Sequence, residues 1–160
     1  MNYEISPAIS LMLQNLLSQQ KVKEALAFIE KDADQTLENQ IELTKIEAPT
    51  FHEAKKAARY REFYEELGLS DVHIDSAGNV IGVRKGTGNS PKILMEGHMD
   101  TVFPLGTKIE PRMEGTRVYA PGISDDTRGI VVPLSVIRAL NAAQIQTEGD
   151  LIFMGTVEEE

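Results

Sequence analysis

The stretch from Asp150 to Val157 most constrains the fold. Leu151, Ile152, Phe153 and Met154 are consecutive apolar residues, the composition of a strand covered on both sides. A second apolar run, Ile93-Leu94-Met95, reads in the same way as a buried strand. The first run leads into Glu158-Glu159-Glu160 and the second into Gly97-His98-Met99-Asp100. Helical patterns alternate with these strands, which means an α/β layer structure. In such sheets ligands bind at the carboxyl edge of the strands, and that is where this chain concentrates its acids and a histidine.

The remaining elements follow from caps and periodicity. Ser6 and Pro7 open a helix expected over Ile5–Gln20. A second helix is expected over Lys21–Lys45, with Val22, Leu26, Ile29, Ala33, Leu37 and Ile41 as a core-facing stripe. Pro49 ends that region. Thr50, with Glu53 three residues on, reads as a capping box for a helix over Phe51–Leu67 that closes at Gly68. Val72–Arg84 alternates around Ser76-Ala77-Gly78-Asn79 as a hairpin. Thr116–Ala120 predicts a short strand and Thr127–Ala143 a helix. Residues 1–45 thus form N-terminal helices, and residues 46–160 carry the sheet and the acidic motifs.

Composition narrows the chemistry. A net charge of −9 argues against nucleic acid or an anionic membrane as partner, since both require a basic face. With no cysteine in the chain, thiolate ligands and a cysteine nucleophile are excluded. A metal must be held by His, Asp and Glu, which suits zinc, cobalt or manganese. The N-terminus carries Glu4 and no basic region of a secretory signal. No stretch approaches the roughly 18 apolar residues of a membrane span. The expected compartment is the cytoplasm.

Three clusters fall at predicted strand ends or loops: His98 with Asp100, Asp125 with Asp126, and Glu158 to Glu160. Acids brought together in this way repel unless cations sit between them. Two divalent ions about 3.5–4 Å apart are one known solution, with a remaining carboxylate as general base. Asp100, two residues from His98, is placed to accept the second ring N–H of that histidine and orient it. Gly97 and Gly122 allow close backbone approach or unusual dihedrals. Asp126 reads as a helix cap rather than a ligand. His52 and His73 lack an acidic partner at metal spacing.

The segments GHMDTVFP (Gly97–Pro104), RMEGTRVYAPGISDDTRG (Arg112–Gly129) and GTVEEE (Gly155–Glu160) resemble the di-zinc metallopeptidases that include aminoacylase, acetylornithine deacetylase, succinyl-diaminopimelate desuccinylase and glutamate carboxypeptidase. Weaker agreement extends back to Leu43. The resemblance implies a three-layer α/β sandwich with a mixed, mainly parallel central sheet. It implies His98 as a ligand of one metal, Asp100 as its orienting partner and Asp125 as the bridging carboxylate. A Thr-x-x-Glu-Glu register makes Glu159 the general base and Glu160 a ligand of the second metal. A Thr-x-Glu-Glu register would choose Glu158 and Glu159; Gly155-Thr156-Val157 favours the former. The implied activity is hydrolysis of amide bonds in peptides or N-acyl amino acids by a metal-activated water, with zinc the first choice of metal. The family pattern also has a further acidic ligand, a final histidine and a lid domain, all beyond Glu160. On that pattern the chain is expected to be a truncated, inactive part of a catalytic domain whose full-length form is a homodimer. The competing expectations are a two-metal phosphoesterase and a non-catalytic metal-binding or interaction fragment.

Overall fold

A computed structural model describes residues 5–88 and 90–160. In chain order the elements are α1 (Pro7–Ser18), α2 (Gln20–Lys31), α3 (Ala33–Thr44), α4 (Ala54–Glu66), β1 (Ser70–Ile74), β2 (Val80–Arg84), β3 (Ile93–His98), β4 (Arg112–Glu114), β5 (Arg117–Tyr119), α5 (Thr127–Ala142) and β6 (Leu151–Thr156). Four strands form a mixed sheet in the order β1-β2-β6-β3, with β6 antiparallel to β2 and parallel to β3. β4 and β5 form a separate hairpin. The expected α/β architecture with a mixed sheet is therefore present.

Two glycines show where the helices lie. Gly97 and Gly155 are partners in the β3–β6 register, so both face the same side of the sheet. A Cβ on Gly155 would meet the Tyr60 ring of α4 at 2.7 Å, and one on Gly97 would lie 3.0 Å from the Ile130 nitrogen of α5. Both helices therefore press on one face, where Leu151, Phe153 and Gly155 are buried. The core between them holds Leu43, Tyr60, Phe63, Tyr64, Val80, Ile130, Leu134, Ile137 and Phe153. Each such large apolar side chain contributes about 1.5–3 kcal/mol on burial. The two buried phenols are satisfied, since Tyr64 donates to Tyr60 at 3.0 Å and Tyr60 to the Ile130 carbonyl at 2.6 Å.

Three expectations need correction. Ile93 and Leu94 are 57% and 50% exposed, because β3 is the end strand of the sheet rather than an inner one. The helix expected over Lys21–Lys45 is broken at Asp32 into α2 and α3. Its apolar stripe is not the packed face: Leu26 and Ile29 are exposed, while Asp32, Thr36, Asn39 and Gln40 are buried. The reason is Arg138 on α5. Its guanidinium reaches Asp32 at 2.7–3.0 Å, Thr36 at 3.0 Å and Asn39 at 3.0 Å. A buried guanidinium needs acceptors more than it needs apolar neighbours. Finally, α4 begins at Ala54 rather than Phe51. Glu53 does accept a backbone N–H, from Phe51 at 2.9 Å, but the Thr50 hydroxyl is used elsewhere.

Candidate metal centre

The sheet brings the ends of three segments to one edge. His98 ends β3 and pairs with Thr156 on parallel β6, so the Glu158–Glu160 segment leaves β6 on the same side. Gly97 lets the start of α5 come close, and Asp126 locks it there. As N-cap, Asp126 accepts the Gly129 N–H at 2.9 Å through one oxygen and the His98 backbone N–H at 3.2 Å through the other. The expected cap is thus also a tie between helix and strand. Asp125 precedes it across a cis peptide bond. His98, Asp125 and Glu160 each offer one potential ligand atom, all within 4.8 Å of one another.

The histidine is oriented for that role. Its Nδ1 lies 3.1 Å from the Asp100 backbone carbonyl, which can only accept, so Nδ1 carries the proton. Nε2 then faces the cluster, 3.1 Å from Asp125 Oδ1 and 3.7 Å from Glu159 Oε2. Burial alone would lower the His98 pKa, but the hydrogen bond to Asp125 and the charges of Asp126, Glu159 and Asp100 outweigh it and hold it above the ordinary histidine value. A site that favours positive charge on this ring favours a cation in the same place.

Asp100 is used differently from the pairing suggested by its spacing. Its carboxylate oxygen is 3.6 Å from His98 Nδ1, farther than the backbone carbonyl of the same residue. Fully buried, the carboxylate instead accepts the backbone N–H of Glu159 at 3.2 Å, that of Glu160 at 3.0 Å, and the Thr50 hydroxyl at 3.1 Å. Burial works to raise its pKa, yet these donors hold it below the ordinary aspartate value. Glu158 faces elsewhere, lining a cleft of about 280 Å³ with Phe51, Ala54, Ile74 and Val157.

Two neighbours of the site escape a motif-based reading. Thr50 was legible only as a cap. Lys56, 1% exposed, donates to the Met99 carbonyl at 3.0 Å. Its position four residues before Tyr60, on the buried face of α4, is the signal that would have found it. The donor set of one imidazole and two carboxylates matches what zinc accepts, and cobalt and manganese take the same groups. Among the described residues no helix is long and apolar enough to cross a membrane.

Comparison with known proteins finds hydrolases and peptidases. A protein of Pyrococcus abyssi named as a LysW-lysine/LysW-ornithine hydrolase is 41% identical over 119 residues, which are 74% of this chain and 32% of that protein. Carboxypeptidase G2 of a Pseudomonas strain is 34% identical over 103 residues, 60% of this chain and 25% of the enzyme. Among solved structures, a tripeptidase of Staphylococcus aureus superposes with a TM-score of 0.69 at 28% identity, over 79% of this chain and 36% of that one. The chain spans about a third of the length of the curated relatives it matches. Residues 94–160 match the peptidase family M20/M25/M40. That match takes in Leu94–His98 of β3, all of α5 and β6, and every donor of the cluster, so the stretch that builds the site is the stretch that matches this family.

Proposed function

We propose that the chain forms part of the catalytic domain of a metal-dependent hydrolase that cleaves amide bonds in peptides or N-acyl amino acids. The observation that supports this most is the convergence of His98, Asp125 and Glu160 from three separate segments to within 4.8 Å. In this reading His98 would serve one divalent ion, Glu160 a second and Asp125 both, with zinc the best fit to these donors. Bound ions would supply a water of lowered pKa and an electrophilic pull on the scissile carbonyl. Glu159 acts as general base, taking the proton of the attacking water and passing it to the leaving amine. Its side chain is 61% exposed beside His98, open to a substrate. The outward turn of Glu158 and the inclusion of Glu160 in the cluster favour this assignment over the Glu158/Glu159 register. The names of the relatives, a hydrolase, a carboxypeptidase and a tripeptidase, support amides as the substrate class.

Zinc titration by calorimetry tests the metal reading. The wild-type chain should bind, and His98→Ala should weaken binding at least tenfold; no binding by the wild type overturns the reading. Hydrolysis of a panel of dipeptides and N-acyl amino acids, with Zn²⁺, Co²⁺ or Mn²⁺, tests the activity. We expect no measurable turnover from the 160-residue chain alone, and turnover once the sequence matching the rest of its relatives is joined to it. Turnover by the short chain, abolished in His98→Ala, would show that it carries a complete site.

A further inference from the structure

Beneath the metal centre lies a charged group that the hydrolytic reading does not use. Lys56, on the first turn of α4, is 1% exposed, and lysine is almost never fully buried unless paired. Its one hydrogen bond runs to the backbone carbonyl of Met99 at 3.0 Å. Met99 is the residue between His98 and Asp100. The charges that attract Lys56 are Asp100 and Glu53, and both are buried too. The hydrogen-bond donors to those two carboxylates are neutral, the N–H groups of Phe51, Glu159 and Glu160 and the Thr50 hydroxyl, and the His98 ring lies 3.6 Å from Asp100 on its other side. Lys56 is thus a buried cation drawn by two buried carboxylates, and it grips the turn that carries a proposed metal donor at one end.

We propose that Lys56 is a positioning residue of the metal centre, holding the His98–Asp100 turn from below through the Met99 carbonyl. The inference rests on the reading of His98 as a metal ligand. His98 Nδ1 is fixed by the Asp100 carbonyl, and the Asp100 carboxylate fixes the backbone of Glu159 and Glu160. A shift of the 98–100 turn therefore moves donors on both sides of the site. Without Lys56 the Met99 carbonyl loses its buried partner, and Asp100 and Glu53 lose a positive charge that each of them attracts. Loss of such an outer partner lowers metal affinity by roughly 10- to 100-fold.

The experiment measures zinc affinity of the whole chain by competition with a chromophoric chelator, and the visible spectrum of the Co²⁺ form. Lys56→Met, folded by circular dichroism, should bind zinc roughly 10- to 100-fold more weakly and show an altered Co²⁺ spectrum. Because the chain has no cysteine, Lys56→Cys provides a single thiol. Its alkylation with 2-bromoethylamine forms a C–S bond with loss of bromide and the thiol proton, and restores an ammonium at the lysine distance. That product should recover wild-type affinity and spectrum. A folded Lys56→Met that binds like the wild type overturns the proposal, as does aminoethylation that restores stability without affinity. Should Lys56→Met not fold, Lys56→Cys before and after alkylation decides by the same criteria. If neither substitution folds, Lys56 is a folding residue and the proposal falls. Failure of the wild type to bind zinc removes the metal reading itself, an outcome distinct from equal binding by wild type and variant.

Discussion

Asp100 Oδ2 accepts the backbone N–H of Glu160 at 3.0 Å, so a residue spaced to serve His98 also fixes the far side of the cluster. Its other oxygen takes the Glu159 N–H at 3.2 Å. One buried carboxylate therefore sets the path of the segment that carries both the proposed base and a proposed ligand. Asp100→Asn would turn an N–H donor toward one of these amides. We expect a loss of about 1–3 kcal/mol in urea unfolding and zinc binding weakened roughly 10- to 100-fold. An Asp100→Asn chain with unaltered stability and zinc affinity would show that these contacts do not shape the site.

The Asp32–Arg138 pair gives a prediction about the scaffold alone. Asp32→Ala leaves a mostly buried guanidinium without its anion and should cost about 3–5 kcal/mol. The double variant Asp32→Ala/Arg138→Met removes the stranded charge and should recover much of that loss. Denaturant melts of the four chains form a double-mutant cycle. Zinc affinity per folded molecule should not change, since neither residue is in the cluster.

Stability should also depend on pH in a way that isolates Lys56. Burial pushes its pKa down to about 8, partly opposed by Asp100 and Glu53. Between pH 8 and the ordinary lysine value the unfolded chain keeps a proton that the folded chain has released. Folding stability therefore rises with pH across that window, by about 3 kcal/mol at most. Below pH 8 both states are protonated and the penalty is constant. Above about pH 10 burial of Tyr60 and Tyr64, whose pKa values it raises, works the other way, because the unfolded chain ionises first. Metal-free thermal melts should climb from pH 8 to 10 and then turn over. Lys56→Met should abolish the climb and keep the fall.

Gly97→Ala tests the close approach of β3 and α5. The added methyl would lie 2.9 Å from Asp126 Oδ2 and 3.0 Å from the Gly129 and Ile130 backbone. Backbone cannot yield as a flexible side chain does, so the expected cost is about 1–3 kcal/mol. The same shift disturbs the Asp126 contact to the His98 N–H, and zinc affinity should fall with stability. A variant as stable as the wild type would mean that the two elements part readily.

The elements that sequence makes legible are those with local signals. The Ser6 cap and Pro7, the hairpin around Gly78, the helix starting at Thr127 behind the Asp126 cap, and the β6 run all appear close to where periodicity and capping place them. The residues of the cluster were legible through motifs at the ends of such elements: His98 closes β3, Asp125 lies two residues before α5, and Glu160 four residues past β6. What was not legible depends on partners far along the chain. The polar face of α2 and α3 makes sense only once Arg138, 106 residues from Asp32, is seen across from it. Thr50 had two uses open to it, cap or partner of Asp100, and local spacing could only suggest the first. The exposure of Ile93 follows from strand order, which no single apolar run encodes.

β6 enters the sheet between β2 and β3, although it follows both in the chain. On the ribosome, the β1–β2 hairpin and β3 therefore emerge without the neighbour that joins them. At about 5–20 residues per second, the wait for residues 151–156 is on the order of seconds. Throughout it each waiting strand shows an unsatisfied row of N–H and C=O groups, a template for mispairing with another nascent chain. The interval is set by translation rather than by the stability of the finished fold. Codon choice between positions 85 and 150 is therefore expected to change soluble yield, even where it leaves every amino acid unchanged.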